Sequence, residues 1–430
     1  MLKTSFLALG LALSAPLAVA ADSFVIRNVD VIPMTGEKVL EDQNVVVRDG
    51  RIVSVDRRLA KMPEGTIVID GTGKFLSPGL AEMHGHIPPM TASATVIEEV
   101  LFQYLANGIT TVRGMLGHPG QLALKESDIA RPNLYLAGPS FNGNSVNSPA
   151  EAAEKVRQQK AEGWDLLKVH PGLTRDEYDA MARTAREEKI RFGGHVPAEV
   201  GLAHAIEMGQ ETFDHVDGYV EYLEGEKGSV DEKKLAAIVK RSKEAGVWIV
   251  PTMALWEVLL GTIDLKTLRD YEELKYVPQS AVDQWTKAYN QRLEGMPRET
   301  AQNIAANRIR ILRALNEGGV KILMGTDAPQ QFSVPGFSLH RELQWMKRAG
   351  MTPYQIMVSG TRNVGEYFKS QDSFGTIEPG KRADLILLDA NPLVDISNLA
   401  RIAGVMVNGR WYPRDVIATG LAENAARYPR

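Results

Sequence analysis

Eight short apolar runs, each followed by a loop and usually by a helical pattern, dominate the middle of this chain: about residues 79–83, 109–113, 133–138, 165–169, 191–195, 211–215, 247–252 and 320–326. Short apolar runs alternating with helical stretches predict parallel strands joined by crossover helices. Helix starts are marked between them. Ser148-Pro149-Ala150-Glu151, Thr174-Arg175-Asp176-Glu177 and Ser229-Val230-Asp231-Glu232 match the capping box, in which the first side chain and the glutamate satisfy backbone N–H groups reciprocally. Gly163, Gly246 and Gly318 stand where helix ends are expected. Eight strand–helix units predict an α/β chain closed as a (β/α)8 barrel, with its chemistry at the C-terminal strand ends. A doubly wound open sheet is the competing arrangement.

The flanks read differently. Phe24-Val25-Ile26, Val29 to Ile32, Val45-Val46-Val47, Ile52-Val53 and Ile67-Val68-Ile69 are strand-like, broken by turns such as Asp49-Gly50 and Asp70-Gly71. A second β-rich stretch follows the repeats, with Ala383 to Leu388 and Val405-Met406-Val407 before Asn408-Gly409. Two β segments on either side of a large middle predict one discontinuous small domain. The region from Leu255 to Arg298, after the seventh run, is an insertion with helical periodicity, readable equally as a lid, as outer packing or as a subunit contact.

The N-terminus reads as an address. Lys3 precedes an apolar run from Phe6 to Leu17, and Ala18-Val19-Ala20 supplies small cleavage-site residues before Asp22. The run is short of the ~20 residues a spanning helix needs. A secreted, most simply periplasmic protein is expected. The formal charge is −4, with no basic excess to suggest nucleic acid or an anionic membrane as partner. The expected partner is a small-molecule substrate, with no nucleic acid, no membrane after signal removal, and homo-oligomer formation left open. The chain has 0 cysteines, which excludes disulfides, thiol catalysis and thiolate zinc sites. A transition metal here must sit on histidine, carboxylate or water.

Of the 8 histidines, five fall at or just after the expected strand ends, together with Lys168 and Asp327. His84 and His86 close the first run, and period-two geometry points both to one side. His195 ends the fifth run, His215 the sixth and Asp327 the eighth. Each alone reads as an ordinary hydrogen-bonded residue or helix cap. Barrel closure would gather all five at one mouth, where so many titratable groups are costly to bury unless a charge compensates. A divalent cation is the natural compensation. Lys168 is either a lysine at the barrel rim or an amine that has reacted with carbon dioxide to give an anionic carbamate.

The set His84-x-His86, Lys168, His195, His215 and Asp327, followed by Gly375-Thr376-Ile377-Glu378-Pro379-Gly380-Lys381-Arg382-Ala383-Asp384-Leu385, closely resembles the amidohydrolase superfamily. Within it the chain is similar to the imidazolonepropionase-related branch that includes prolidase-like metal-dependent dipeptidases. Supporting phrases are Gly108 to Arg113, Gly325-Thr326-Asp327-Ala328-Pro329 and Leu339-His340-Arg341-Glu342-Leu343. The resemblance implies a distorted (β/α)8 TIM barrel with a small β-sandwich domain built from both chain ends. With a signal peptide over 1–20, the chain is expected to divide into a β segment over 21–77, the hydrolase barrel over 78–372 and the closing β segment over 373–430. The resemblance further implies two divalent ions, zinc first with manganese or cobalt as substitutes. His84, His86 and Asp327 would hold the more buried ion and His195 and His215 the more exposed one, with carboxylated Lys168 and a hydroxide bridging. The implied reaction is hydrolysis of an amide in a dipeptide or N-acyl amino acid, Asp327 moving the proton to the leaving amine.

Contacts to the substrate and catalytic contacts to the tetrahedral oxyanion are expected from the loops. His118, Asn142, Asn144, His170, Tyr219 and Tyr222 follow strands two, three, four and six, with Tyr219 favoured for its closeness to His215. Arg113 is a candidate for a substrate carboxylate or for a structural salt bridge. His340 and His204 read as structural. Two departures from the family pattern bear on substrate: Gly114-Met115 after Arg113, and the insertion after Trp256. The alternatives are a mononuclear deaminase or cyclic-amide or lactone hydrolase on the same scaffold, for which Lys168 is incidental, and a non-catalytic metal-binding scaffold.

Overall fold

The computed structural model describes residues 18–59, 61–369 and 372–429. The run Phe6–Leu17 lies outside the described residues, so the signal-peptide expectation is not addressed there; among the described residues no helix is long and apolar enough to cross a membrane. Six strands open the chain: β1 (Val19–Ala20), β2 (Ser23–Val31), β3 (Leu40–Arg48), β4 (Arg51–Asp56), β5 (Ile67–Asp70) and β6 (Phe75–Pro78). Eight follow in the repeat region: β7 (Leu80–Gly85), β8 (Ile109–Gly114), β9 (Asn133–Leu136), β10 (Leu166–Val169), β11 (Arg191–Gly194), β12 (Thr212–Asp214), β13 (Trp248–Val250) and β14 (Lys321–Ile322). Each falls within or beside one of the eight apolar runs. Three more, β15 (Leu385–Leu388), β16 (Ile402–Val407) and β17 (Arg410–Pro413), close the chain.

The terminal strands form one nine-stranded sheet in the order β1-β17-β16-β15-β6-β2-β3-β4, with β5 pairing β2. The β15–β6 pairing, Leu385 opposite Pro78 and Leu388 opposite Phe75, joins the two ends of the chain. Phe24, Ile26, Val45, Leu76, Leu385 and Met406 pack into one core, so residues more than 300 apart in sequence share their burial.

The repeat strands are parallel and form a three-stranded sheet, β7-β8-β9, and a five-stranded sheet, β10-β11-β12-β13-β14. Backbone bonds cross between the sheets at both edges. Gly138 donates to the Leu166 carbonyl at 3.1 Å and Phe141 to that of Lys168 at 2.8 Å. On the other edge Met83 donates to Met324, and Asp327 to His84, both at 2.8 Å. β14 is two residues long; past it Leu323 donates to the Ile249 carbonyl and Met324 to that of Ser359 before the chain reaches Asp327.

Local chemistry accounts for the helix ends. Thr174 and Glu177 form the full reciprocal capping box that opens Arg175–Glu187. Ser148 caps Pro149–Glu162, but the Glu151 carboxylate turns to the Asn147 N–H instead. The third box is corrected: Asp231, not Ser229, caps Glu232–Ala245, because the helix begins two residues later. Gly163 and Gly246 end their helices in the left-handed region, while at the end of Arg298–Glu317 it is Gly319, at φ 76°, rather than Gly318 that turns the chain.

The insertion is helical, with Met253–Leu259, Leu265–Arg269 and Gln279–Glu294. It has its own apolar cluster, in which Leu268, Leu274 and Val282 pack with Phe332 and Val334.

Candidate metal centre

His84 lies at the end of β7 and His86 one residue past its last, two residues apart along an extended chain and therefore on the same side. His84 is almost wholly buried, and Asp327 reaches it from the far edge of the five-stranded sheet. Ligand atoms of His84, His215 and Asp327 lie within 4.8 Å of one another. Asp327 Oδ1 is 2.6 Å from His86 Nε2 and 3.7 Å from His84 Nε2, and Asp327 Oδ2 is 3.6 Å from His215 Nε2. Lys168 Nζ, also wholly buried, sits 3.0 Å from His84 Nε2. The imidazoles form a continuous arc, with ring centroids 5.5 Å apart for His86–His84, 4.4 Å for His84–His215, 4.5 Å for His215–His195 and 4.9 Å for His195–His170.

The local backbone is arranged for this convergence. His215, Val216 and Asp327 take φ of 65°, 57° and 67°, in the left-handed region that costs a β-branched or bulky residue most. Gly194, just before His195, has φ 127°, and a Cβ there would meet the Val169 carbonyl oxygen at 2.4 Å. Only glycine brings β11 that close to β10.

Second partners fix the rings. His84 Nδ1 faces Asp214 Oδ2 at 2.8 Å, His195 Nδ1 pairs with Asp217 Oδ2 at 2.5 Å, and His215 Nδ1 pairs with Thr252 Oγ1 at 2.8 Å. Asp217 and Thr252 thus hold the His195 and His215 rings at Nδ1, leaving their Nε2 for a ligand, while His84 Nδ1 stands close to Asp214 without a hydrogen bond. Glu82 is buried beneath, accepting from the N–H of His84 at 3.0 Å and of Thr326 at 2.7 Å, which ties β7 to the segment bearing Asp327. Tyr104 donates to the Ala328 carbonyl at 2.5 Å.

Burial sets the charge states. It pushes the imidazoles of His84 and His215 well below the usual range, helped by the positive groups around them. The same desolvation, with Lys168 nearby, takes His170 down to about 2. Lys168 itself falls to about 8, and Glu82 rises to about 8. For Asp214, desolvation alone would raise the carboxyl, but Arg113 and Lys168 hold it below its usual value.

His215 Nε2 and His86 Nδ1 are buried without a hydrogen-bond partner. Imidazoles with free ring nitrogens around a carboxylate are the donor set of a divalent transition metal, so the residues present fit such an ion.

The structure brings His84, His86, Lys168, His195, His215 and Asp327 together, with His170 beside His195 on the same arc. His118 is half-buried, and its imidazole is lowered by burial and by the charge of His86. The remaining candidates stand as follows. Tyr219 points away: it is fully buried in the main core, with its hydroxyl 2.7 Å from Ser242 Oγ. Its closeness to His215 in sequence does not survive the turn at Gly218, whose φ is 80°. Arg113 faces no open site, because it is wholly buried and pairs with both oxygens of Asp214 at 3.0 and 3.1 Å. Asn142 is a turn residue, its side chain accepting from the Asn144 N–H, and Asn144 is exposed beside it. Tyr222 is 43% exposed. His204, paired with Asp179, and His340, beside Asn107, are structural as expected.

Sequence reasoning missed Glu82, Asp214, Asp217 and Thr252. A signal existed for three of them: Glu82 shares the period-two face of His84 and His86, and Asp214 and Asp217 flank His215. The partner of Thr252 is 37 residues away, with no local pattern to announce it.

The model of the amidohydrolase family matches residues 75–412. A 5-methylthioadenosine/S-adenosylhomocysteine deaminase of Caldanaerobacter subterraneus subsp. tengcongensis is 22% identical over 395 residues, covering 86% of this chain and 85% of the relative. An ochratoxinase of Aspergillus niger is 23% identical over 348 residues, and there the match takes in 69% of this chain and 63% of the relative. A solved Xaa-Pro dipeptidase with methionine bound in its active site superimposes with a TM-score of 0.69 at 22% identity, covering 91% of this chain and 100% of that one. At that identity the likeness is one of fold.

Proposed function

Because the chain belongs to the amidohydrolase family, whose members among its relatives act on carbon–nitrogen bonds, we propose that it is an exported, binuclear metal-dependent amidohydrolase. Its substrate is a small peptide-like amide, a dipeptide or an N-acyl amino acid. The observation that carries the reading is the position of Lys168, wholly buried with Nζ 3.0 Å from His84 Nε2. An ammonium there repels any cation held by the neighbouring imidazoles. The neutral amine instead adds to carbon dioxide and releases a proton, giving a carbamate whose two oxygens can serve two ions. His84, His86 and Asp327 would hold one ion and His195 and His215 the other, with the Lys168 carbamate shared. Zinc suits the imidazole-rich donor set, with manganese or cobalt as substitutes. Bound there, the ions would supply a water ionised near neutral pH and a polarised scissile carbonyl.

The chain's own groups do the rest. Asp327 takes a proton from the attacking water at its carboxylate and delivers it to the leaving nitrogen. Asp217 and Thr252 keep the His195 and His215 rings turned so that Nε2 faces inward. His118 and His170 at the rim are the remaining candidates for substrate or oxyanion contact.

The same reading takes β7 to β14 as a distorted barrel spanning residues 78–372, with a composite β domain from residues 21–77 and 373–430. The backbone bonds across both sheet edges support it. Export rests on Lys3, the Phe6–Leu17 run and Ala18-Val19-Ala20. Cleavage after Ala20 removes β1 from the β17 edge and leaves the rest of that sheet paired.

The test is a hydrolysis screen of Xaa-Pro and other dipeptides, N-acyl amino acids and lactones on the zinc-loaded chain. Amide cleavage with release of a free amine is expected. Turnover confined to lactones or to ammonia release from aminopurines overturns the substrate assignment. One specific observation favours a second reading, a mononuclear deaminase: the tight cluster of His84, His215 and Asp327 is the size of a one-ion site. Metal counting separates the two.

A further inference from the structure

Away from these groups, the helices Met253–Leu259, Arg298–Glu317 and Phe337–Arg348 line a half-open pocket of about 220 Å³ at the base of the insertion, with Thr262 and Ala306 at its exposed rim. Its walls are apolar, with Met253, Trp256, Leu260, Ile309 and Trp345. Arg308 also lines it, yet is only 2% exposed. Its guanidinium carbon stands 4.1 Å from the centre of the Trp256 ring, and Nη2 donates to the Pro251 carbonyl at 3.2 Å.

Two buried N–H donors on lining residues have no hydrogen-bond partner: Arg308 Nε and Trp256 Nε1. Buried donors left unpaired beside an apolar pocket forfeit hydration that a bound acceptor restores. One of the two belongs to a cation, so the fitting acceptor is an anion, and planar guanidinium groups favour carboxylates. The apolar walls call for an apolar tail. The volume is below the roughly 300–1,000 Å³ of drug-sized pockets, which limits the occupant to about the size of an amino acid.

We propose that this cavity is a second binding site, for a small carboxylate with an apolar side chain. The carboxylate meets Arg308 Nε and the Trp256 indole N–H, and the side chain lies against Met253, Leu260 and Ile309. Four carboxyl groups lie in its surroundings. Burial raises Glu257, which lines the cavity, and Glu342 to about 7, so neither opposes an anion in mildly acidic solution. Asp217 is taken up by His195, and Glu221 caps Gly218. None of the six groups gathered around Lys168 lines the cavity, and the site stands whichever amide the enzyme cuts.

The experiment is titration of the full, metal-loaded chain at pH 6 with isovalerate, 3-phenylpropanoate and the uncharged 3-phenylpropanol, read by tryptophan fluorescence and calorimetry. Saturable binding of the two carboxylates is expected, with the alcohol more than tenfold weaker. Arg308→Met weakens the carboxylates more than tenfold. Ala305→Trp fills the cavity while leaving the guanidinium in place; it weakens them similarly and leaves the basal hydrolysis rate unchanged. Unaltered affinity in Ala305→Trp puts the ligand elsewhere, at the metal ions above all, and overturns the proposal. Equal affinity for the alcohol, or no binding by wild type, also overturns it.

Discussion

Asp214→Asn tests whether the site is held together from behind. The Asp214 carboxylate accepts from Arg113 Nη2 with both oxygens and faces His84 Nδ1 at 2.8 Å, with every partner buried. The amide removes the negative charge and leaves the Arg113 guanidinium uncompensated in the interior. Breaking a buried pair in this way costs about 3–5 kcal/mol, a large part of the roughly 5–15 kcal/mol by which folded proteins are stable. Urea unfolding of the metal-free chain reads that loss directly. The double variant Arg113→Met/Asp214→Asn removes the stranded cation and regains much of it. The effect has a defined pH course. Asp214 titrates below its usual value in the folded protein, so its contribution is full above the unfolded-chain pKa of about 3.9 and fades as pH falls below it. The gap between wild type and variant is therefore flat at neutral pH and closes in acid. Loss of the carboxylate beside His84 also weakens metal binding by about 10–100-fold, measured by competition with a chromophoric chelator. A variant with wild-type stability and wild-type metal affinity would refute the reasoning.

Other outcomes follow from the same geometry. Asp327→Asn keeps much of its metal and loses about two to four orders of magnitude in kcat; an active, metal-loaded variant removes Asp327 from proton transfer. Lys168→Ala loses activity that added short-chain carboxylic acids partly restore, and activity without additive rules out the bridging role. Tyr219→Phe loses only the bond to Ser242, about 1 kcal/mol of stability, and leaves kcat/KM unchanged; a hundredfold fall would return Tyr219 to the catalytic machinery.

How legible the molecule is in its sequence depends on the range of the forces involved. The strands β7 to β13 are local apolar runs closed by turns, so their positions are readable. β14 is readable in place but not in length: it lies within the run of 320–326, yet pairs only over Lys321–Ile322, and the rest of the run leaves the ladder on its way to Asp327. The histidines at strand ends are readable because strand geometry fixes which side they face. Arg113 is ambiguous in sequence because its partner, Asp214, lies 101 residues away. Tyr219 misleads because one left-handed glycine redirects the chain between it and His215. Asn142 looks like a ligand and is a turn residue, a distinction decided by a hydrogen bond to Asn144. The cavity beside Arg308 has no sequence signature, since three helices far apart in the chain build it.

The central claim is a pair of divalent ions held by six side chains. Its most direct test is zinc content per chain by mass spectrometry after reconstitution with zinc and bicarbonate, wild type beside Lys168→Ala. Two ions in the wild type and at most one in the variant are expected. A wild type that never exceeds one ion, or a variant that still holds two with undiminished affinity, contradicts the account.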